Sequence, residues 1–184
     1  VIAAMAKRFG RPIVWVPPRS DDMKSLLHGR GQIQYAELGC DDDGRFTHLR
    51  VRIVNDAGAY PNVGAHLPGL TRNMAQGTYA IPELEFDIAV AVTNTTPVGA
   101  YRGAGRPEAT ALIERLTDQA AIELGIDPLD IRRRNFLSED AFPFTTITGP
   151  TYDTGRYALA LDRAAEVVGY GALRAEQAER RERG

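Results

Sequence analysis

The sequence predicts an α+β fold, a mixed or antiparallel sheet with helices packed against it. Three observations carry that expectation. Two segments, Ile33–Gly39 and Arg45–Asn55, flank the run Asp41-Asp42-Asp43-Gly44 and read as the arms and turn of a β-hairpin. Another apolar run, Leu84–Thr93, is dense in small and β-branched residues and reads as a strand. Beyond it, Ala109, Leu112, Ile113, Leu116 and Ala120 recur at the spacing of one helical face.

Each element has a local reason. Val1–Phe9 is helical in pattern and stops at Gly10, where a left-handed backbone costs glycine little. Pro12–Val16 is a short apolar strand ending at Pro17-Pro18, with Trp15 in the core. Ser20–Gly31 is polar, irregular or a brief helix. In the second hairpin arm Phe46, Leu49, Val51 and Ile53 form the apolar set. Asn55–Thr78, rich in glycine, asparagine and proline, is a long connection with at most one short helix. Pro107 fits the first position of the helix that Gly125 ends. Asp127 caps the next helix, begun by Pro128, and a third follows at Tyr157–Val168 with a charged tail behind it.

Composition narrows the function. With 184 residues, 43% hydrophobic and 25% charged, the chain suits one compact piece spanning 1–184. A formal charge of −2 argues against nucleic-acid or anionic-membrane binding. No apolar run approaches the roughly 20 residues that span a bilayer, so no membrane insertion is expected. The single cysteine, Cys40, forms no internal disulfide and suits a reducing, cytoplasmic setting. Val1 opens in the middle of a helical pattern without a capping residue, so the chain reads as an internal segment of a longer protein.

Most motif-like features have plain readings. The Asp41–Gly44 run lacks the spaced ligands and closing glutamate of a calcium loop. His28, His48 and His66 share no metal-ligand spacing, so no metal ligand is assigned. Arg132, Arg133 and Arg134 point in three directions on a helix and read as solvated or ion-paired. The stretch Asn94–Glu108 is different. It places Gly99, Gly103, Gly105, Arg102 and Arg106 between a strand and a helix N-terminus. Such a turn can present free N–H groups to an anion. It can equally be a strand-to-helix turn with its arginines salt-bridged on the surface.

The string VGAYRGAGRPEA, followed by ERLTDQAAIELGIDPLDIRRRNF, resembles the molybdenum-binding large subunit of the molybdenum hydroxylases. That family includes xanthine dehydrogenase, aldehyde oxidoreductases and aerobic carbon monoxide dehydrogenase. RFGRPIVWV with HGRGQ, VRIVNDAGAY, GTYAIPELEF, TNTTPVGAYRG and ITGPTYDTGRY extend the likeness, in order, over most of the chain. It is most like the bacterial carbon monoxide dehydrogenase-like large chains.

The resemblance implies a part of the molybdenum-cofactor-binding domain, with a molybdopterin cofactor in its cytosine dinucleotide form. It also implies a 2Fe-2S small subunit, an FAD medium subunit and a small-molecule substrate hydroxylated with water. Arg102 matches an arginine at the cofactor, and Ala100, Tyr101 and Gly103 would line the same wall. Leu70 and Ala104 would shape the substrate pocket. The catalytic glutamate and the other cofactor loops fall outside these residues. No catalytic residue is therefore assigned here, and the 184 residues alone are expected to be inactive. A non-catalytic scaffold that keeps the fold without the chemistry is the alternative.

Two departures bear on substrate. Carbon monoxide dehydrogenases of the family carry, after the Tyr-Arg pair, a cysteine that binds copper; here the residue is Gly103. Xanthine dehydrogenases carry a stacking phenylalanine where this chain has Ala104, and an orienting arginine near Leu70. An aldehyde or an N-heterocycle therefore suits the chain better than carbon monoxide or a purine.

Overall fold

Strand β2 (Phe46–Asp56) organises the core, because its alternating side chains bury one face almost completely. Phe46, Leu49, Val51 and Ile53 are all at most 4% exposed. In this computed structural model, which describes all residues 1–184, β1 (Gln32–Cys40) pairs antiparallel with β2 through the expected hairpin. The turn is held by Asp41, whose Oδ1 accepts from the N–H groups of Asp43 and Arg45 at 3.0 and 2.8 Å. Strand β3 (Leu84–Ala91) lies parallel to β2 on its other side, so the sheet is mixed, in the order β1-β2-β3.

A parallel pair cannot be joined by a tight turn. The crossover from β2 to β3 is the long connection expected from the sequence. It holds a 3₁₀ turn, Val63–His66, and helix α3 (Leu67–Met74). Helix α4 (Arg106–Leu124) lies on the apolar face of the sheet and buries Ala109, Leu112, Ile113 and Ala121. Helix α5 (Pro128–Asn135) starts at the Asp127 cap, which accepts from the Leu129 N–H at 2.8 Å. Its last residue, buried Asn135, ties the helix to the hairpin. Its Oδ1 accepts from the Phe46 N–H, and its Nδ2 donates to the Gly44 carbonyl, each at 2.7 Å. Tyr79 stacks on Phe136, meets Phe46 edge to face, and donates its hydroxyl to Glu114 at 2.8 Å. Burial, and then the Glu114 charge, push its phenol well above the ordinary value.

Helices α1 (Ile2–Phe9) and α2 (Arg19–Ser25) precede the sheet. After α5 come a small ribbon of β4 (Phe144–Thr145) and β5 (Thr151–Tyr152), then α6 (Tyr157–Val168) and α7 (Tyr170–Arg183). The three arginines of α5 do take separate partners. Arg132 pairs with Glu114 and Asp118, Arg133 with Asp130 and Asp162, and Arg134 donates to the Asp43 carbonyl.

Three expectations need correction. Residues 12–16 form no strand, and Trp15 is 63% exposed rather than in the core. Pro12, Pro17 and Pro18 remove ladder donors, and residues 12–16 pair with no strand, so apolar composition alone did not make one. Pro107 occupies the second helical position, because Gly105, at φ 89°, is the residue that caps α4 and Arg106 begins it. The strands of the ribbon β4–β5, 2 residues each, are too short to carry a period in the sequence.

Candidate functional site

Residues 93–105 cross the end of the sheet where β2 finishes and α4 begins. Their start is pinned by Asp56, the last residue of β2. Its carboxylate accepts from the Gly58 N–H and the Thr93 hydroxyl, each at 2.7 Å, and from the Thr95 hydroxyl at 3.0 Å. The Gly58 N–H and then Thr93 hold this carboxyl below the usual range. Further along, the Val98 N–H donates to the Ala57 carbonyl at 3.2 Å, and the Gly99 N–H to the His28 carbonyl at 2.8 Å. Gly64 sits so close to the Val98 carbonyl that no side chain would fit there.

The turn into α4 is built from three successive residues with positive φ: Gly103 at 98°, Ala104 at 42° and Gly105 at 89°. Gly105 is buried against α3, and a Cβ there would come within 2.6 Å of the Thr71 nitrogen and 2.7 Å of the Leu70 Cβ. That close approach brings Leu70, 37% exposed, beside the turn that carries half-buried Ala104. Ala100, Tyr101, Arg102 and Gly103 are all exposed, and none of their main-chain N–H groups has a partner within the chain. The Arg102 side chain makes no ion pair. Arg106 reaches only the Gly103 carbonyl, at 3.4 Å. The surface-salt-bridge alternative for these arginines is therefore not what forms.

Two residues that hold the turn went unrecognised in the sequence. Arg30 donates from one guanidinium nitrogen to both carboxylate oxygens of Glu108, at 3.1 and 3.2 Å. Its other terminal nitrogen donates to the Arg102 carbonyl at 2.6 Å. The guanidinium also lies 5.3 Å from the centre of the Tyr101 ring. Arg30 and Glu108 are separated by 78 positions, and no local pattern links them. Glu108 alone looks like an ordinary acid in the first turn of a helix.

Because Arg30 and Glu108 neutralise each other, the net charge of the turn comes from Arg102 and Arg106. Free peptide N–H groups and two unpaired guanidiniums make a surface suited to an anionic, oxygen-rich ligand. Neither a thiol nor a free carboxylate lies in it. Cys40 is at the hairpin end of β1, roughly 27 Å along the strand at about 3.4 Å per residue. Burial, and then Asp41, push its thiol pKa up.

Residues 1–136 match the family described as the molybdopterin cofactor-binding domain. The carbon monoxide dehydrogenase large chain of Hydrogenophaga pseudoflava is 38% identical over 94% of this chain, which covers 22% of that protein. The nicotine 6-hydroxylase large subunit of Paenarthrobacter nicotinovorans is 32% identical over 97% of the chain, again covering 22% of the relative. Among solved structures, quinoline 2-oxidoreductase from Pseudomonas putida 86 superposes over 100% of this chain and 24% of its own, with TM-score 0.89 and 34% identity. A Cu,Mo-CO dehydrogenase superposes over 98% of this chain and 23% of its own, with TM-score 0.87 and 31% identity. The chain thus spans between a fifth and a quarter of these relatives. It belongs to the molybdopterin cofactor-binding domain family of the molybdenum hydroxylases, matching a part of their large subunit.

Proposed function

We propose that residues 100–104 form one wall of a molybdopterin site, in a large subunit that hydroxylates an aldehyde or an N-heterocyclic carbon with oxygen from water. The observation that carries the reading is the exposed row Ala100–Gly103, with unpartnered N–H groups beside the unpaired guanidinium of Arg102. That donor set fits the phosphate- and oxygen-bearing edge of a pterin cofactor, here taken as the cytosine dinucleotide form. When bound, the molybdenum cofactor supplies the two-electron oxidation. This chain's residues bind and orient. Arg102 supplies positive charge to the cofactor edge, and the peptides of Ala100, Tyr101 and Gly103 donate to it. Leu70 and Ala104 offer an apolar approach and no polar group, which suits a flat heterocycle or a small aldehyde. In this scheme electrons leave through a 2Fe-2S small subunit to an FAD medium subunit, in the cytoplasm.

Gly103 supports the same substrate class, because a site without a thiolate lacks the soft ligand that copper requires. Similarity to relatives named for nicotine and quinoline supports the N-heterocycle reading. The test is Arg102→Ala in the complete subunit, with molybdenum measured by elemental analysis alongside turnover. A fall of tenfold or more in either is expected. Native molybdenum content together with native turnover would overturn the assignment.

A further inference from the structure

We propose that Arg30 is the positioning residue of the cofactor-facing turn, and that its pairing with Glu108 fixes which way the Arg102–Gly103 peptide points. The inference rests on the wall reading above. It concerns what holds the wall rather than what the wall binds.

A trans peptide is planar, with its C=O and N–H directed to opposite sides. The Arg102 carbonyl is drawn inward by the Arg30 guanidinium at 2.6 Å. The Gly103 N–H, in the same peptide unit, must then face outward, to the side that has no partner within the chain. Little else fixes this orientation. The turn's own main-chain bonds are Ala104 N–H to the Tyr101 carbonyl at 2.8 Å and Arg106 N–H to the Gly103 carbonyl at 3.2 Å. Neither engages the Arg102 carbonyl. Gly103 tolerates either sign of φ, so the peptide could rotate without steric penalty if that carbonyl were released.

The brace is anchored at a rigid end. Glu108 lies in the first turn of α4, its side chain is 7% exposed, and Arg30 is its sole polar partner. A guanidinium can serve both the carboxylate and the carbonyl at once because its planar fork presents several N–H groups in fixed directions. A lysine ammonium is a single point charge and cannot span both. The backbone adds an independent sign. Arg30 adopts φ 69°, a left-handed conformation rare for a residue with a side chain, while glycines stand on either side of it. Gly29 has no room for a Cβ, which would lie 2.6 Å from the Tyr101 Cβ. The side chain of residue 30 is thus retained at a strained position, pressed against the turn that it braces.

The test compares Arg30→Met, Arg30→Lys and Arg102→Ala in the complete subunit, reading amide hydrogen exchange at Ala104 and Arg106, the turn's two hydrogen-bonded N–H groups, together with molybdenum content. Arg30→Met is expected to raise exchange in this turn at least tenfold and to lower molybdenum content at least twofold. Arg30→Lys keeps the charge opposite Glu108. It is expected to hold the native melting temperature yet still exchange faster in the turn, which separates positioning from charge. Native exchange rates in the turn of Arg30→Met overturn the inference, even if Arg102→Ala loses molybdenum and the wall reading stands. Exchange that rises equally in β2 and α4 also overturns it, since that marks general destabilisation. Faster exchange confined to the turn supports the brace. If molybdenum content stays native in that case, the wall reading is what fails.

Discussion

Ala104 has φ 42° between two glycines that adopt positive φ freely. A left-handed conformation costs a residue with a Cβ about 1–2 kcal/mol, part of which glycine gives back through its greater freedom in the unfolded chain. Ala104→Gly should therefore stabilise the fold by about 0.5–1 kcal/mol. A urea unfolding midpoint that moves upward at constant slope would confirm it. A downward shift would mean instead that the Ala104 methyl packs productively against α3. The same small side chain bears on substrate choice, because it leaves space above the turn where a larger residue would stand. At this scale the sequence was informative for residues whose identity is the message. Gly103, Gly105 and Arg102 could be singled out because glycine and arginine in a strand-to-helix turn restrict the options. Arg30 could not, since its meaning depends on Glu108 across the fold.

Among the elements, the strap of residues 93–99 is held by main-chain bonds along its length and, at its start, by one carboxylate. Asp56 joins β2 to the strap through the hydroxyls of Thr93 and Thr95, while the Gly58 N–H donates to the same carboxylate. Its folded pKa is lowered, so its contribution to stability is present above the unfolded aspartate value of about 3.9 and is lost as pH falls through the lower folded value. The wild-type protein should accordingly lose stability on acidification through this range, whereas Asp56→Asn should lose less over the same interval. Parallel acid titrations followed by circular dichroism would check this, and equal slopes for the two would contradict the role of the carboxylate. The hairpin, α4 and α5 were legible because their periodicity and caps are local. Pro12–Val16 misled because a strand needs a partner edge, and apolar composition says nothing about where one is. The parallel pairing of β2 with β3 was equally out of reach, since it depends on how a long crossover returns.

At the scale of the whole molecule, the packed body is the sheet with α3, α4 and α5, and the N-terminal helices add no buried residue to it. No residue of α1 or α2 is buried, and Val14, Trp15 and Val16 are 85%, 63% and 82% exposed. Trp15 is the only tryptophan, so its fluorescence reports on this segment alone. In the 184-residue chain its emission should be that of water-exposed indole and should be fully quenched by iodide. Shielded, blue-shifted emission would show that this apolar segment finds a partner surface. No helix is long and apolar enough to cross a membrane.

By itself, the sequence determined the hairpin, the strand β3, the helices α4, α5 and α6 and the glycine-arginine turn, and through its ordered motifs the family, because those properties reside in neighbouring residues. The tertiary structure alone decided the mixed pairing of the sheet and the exposure of Trp15. It also decided the convergence of Arg30, Glu108 and Asp56 on the turn at residues 93–105. These depend on groups tens of positions apart meeting in space, where burial and a shared hydrogen-bond donor, rather than local propensity, choose the partner.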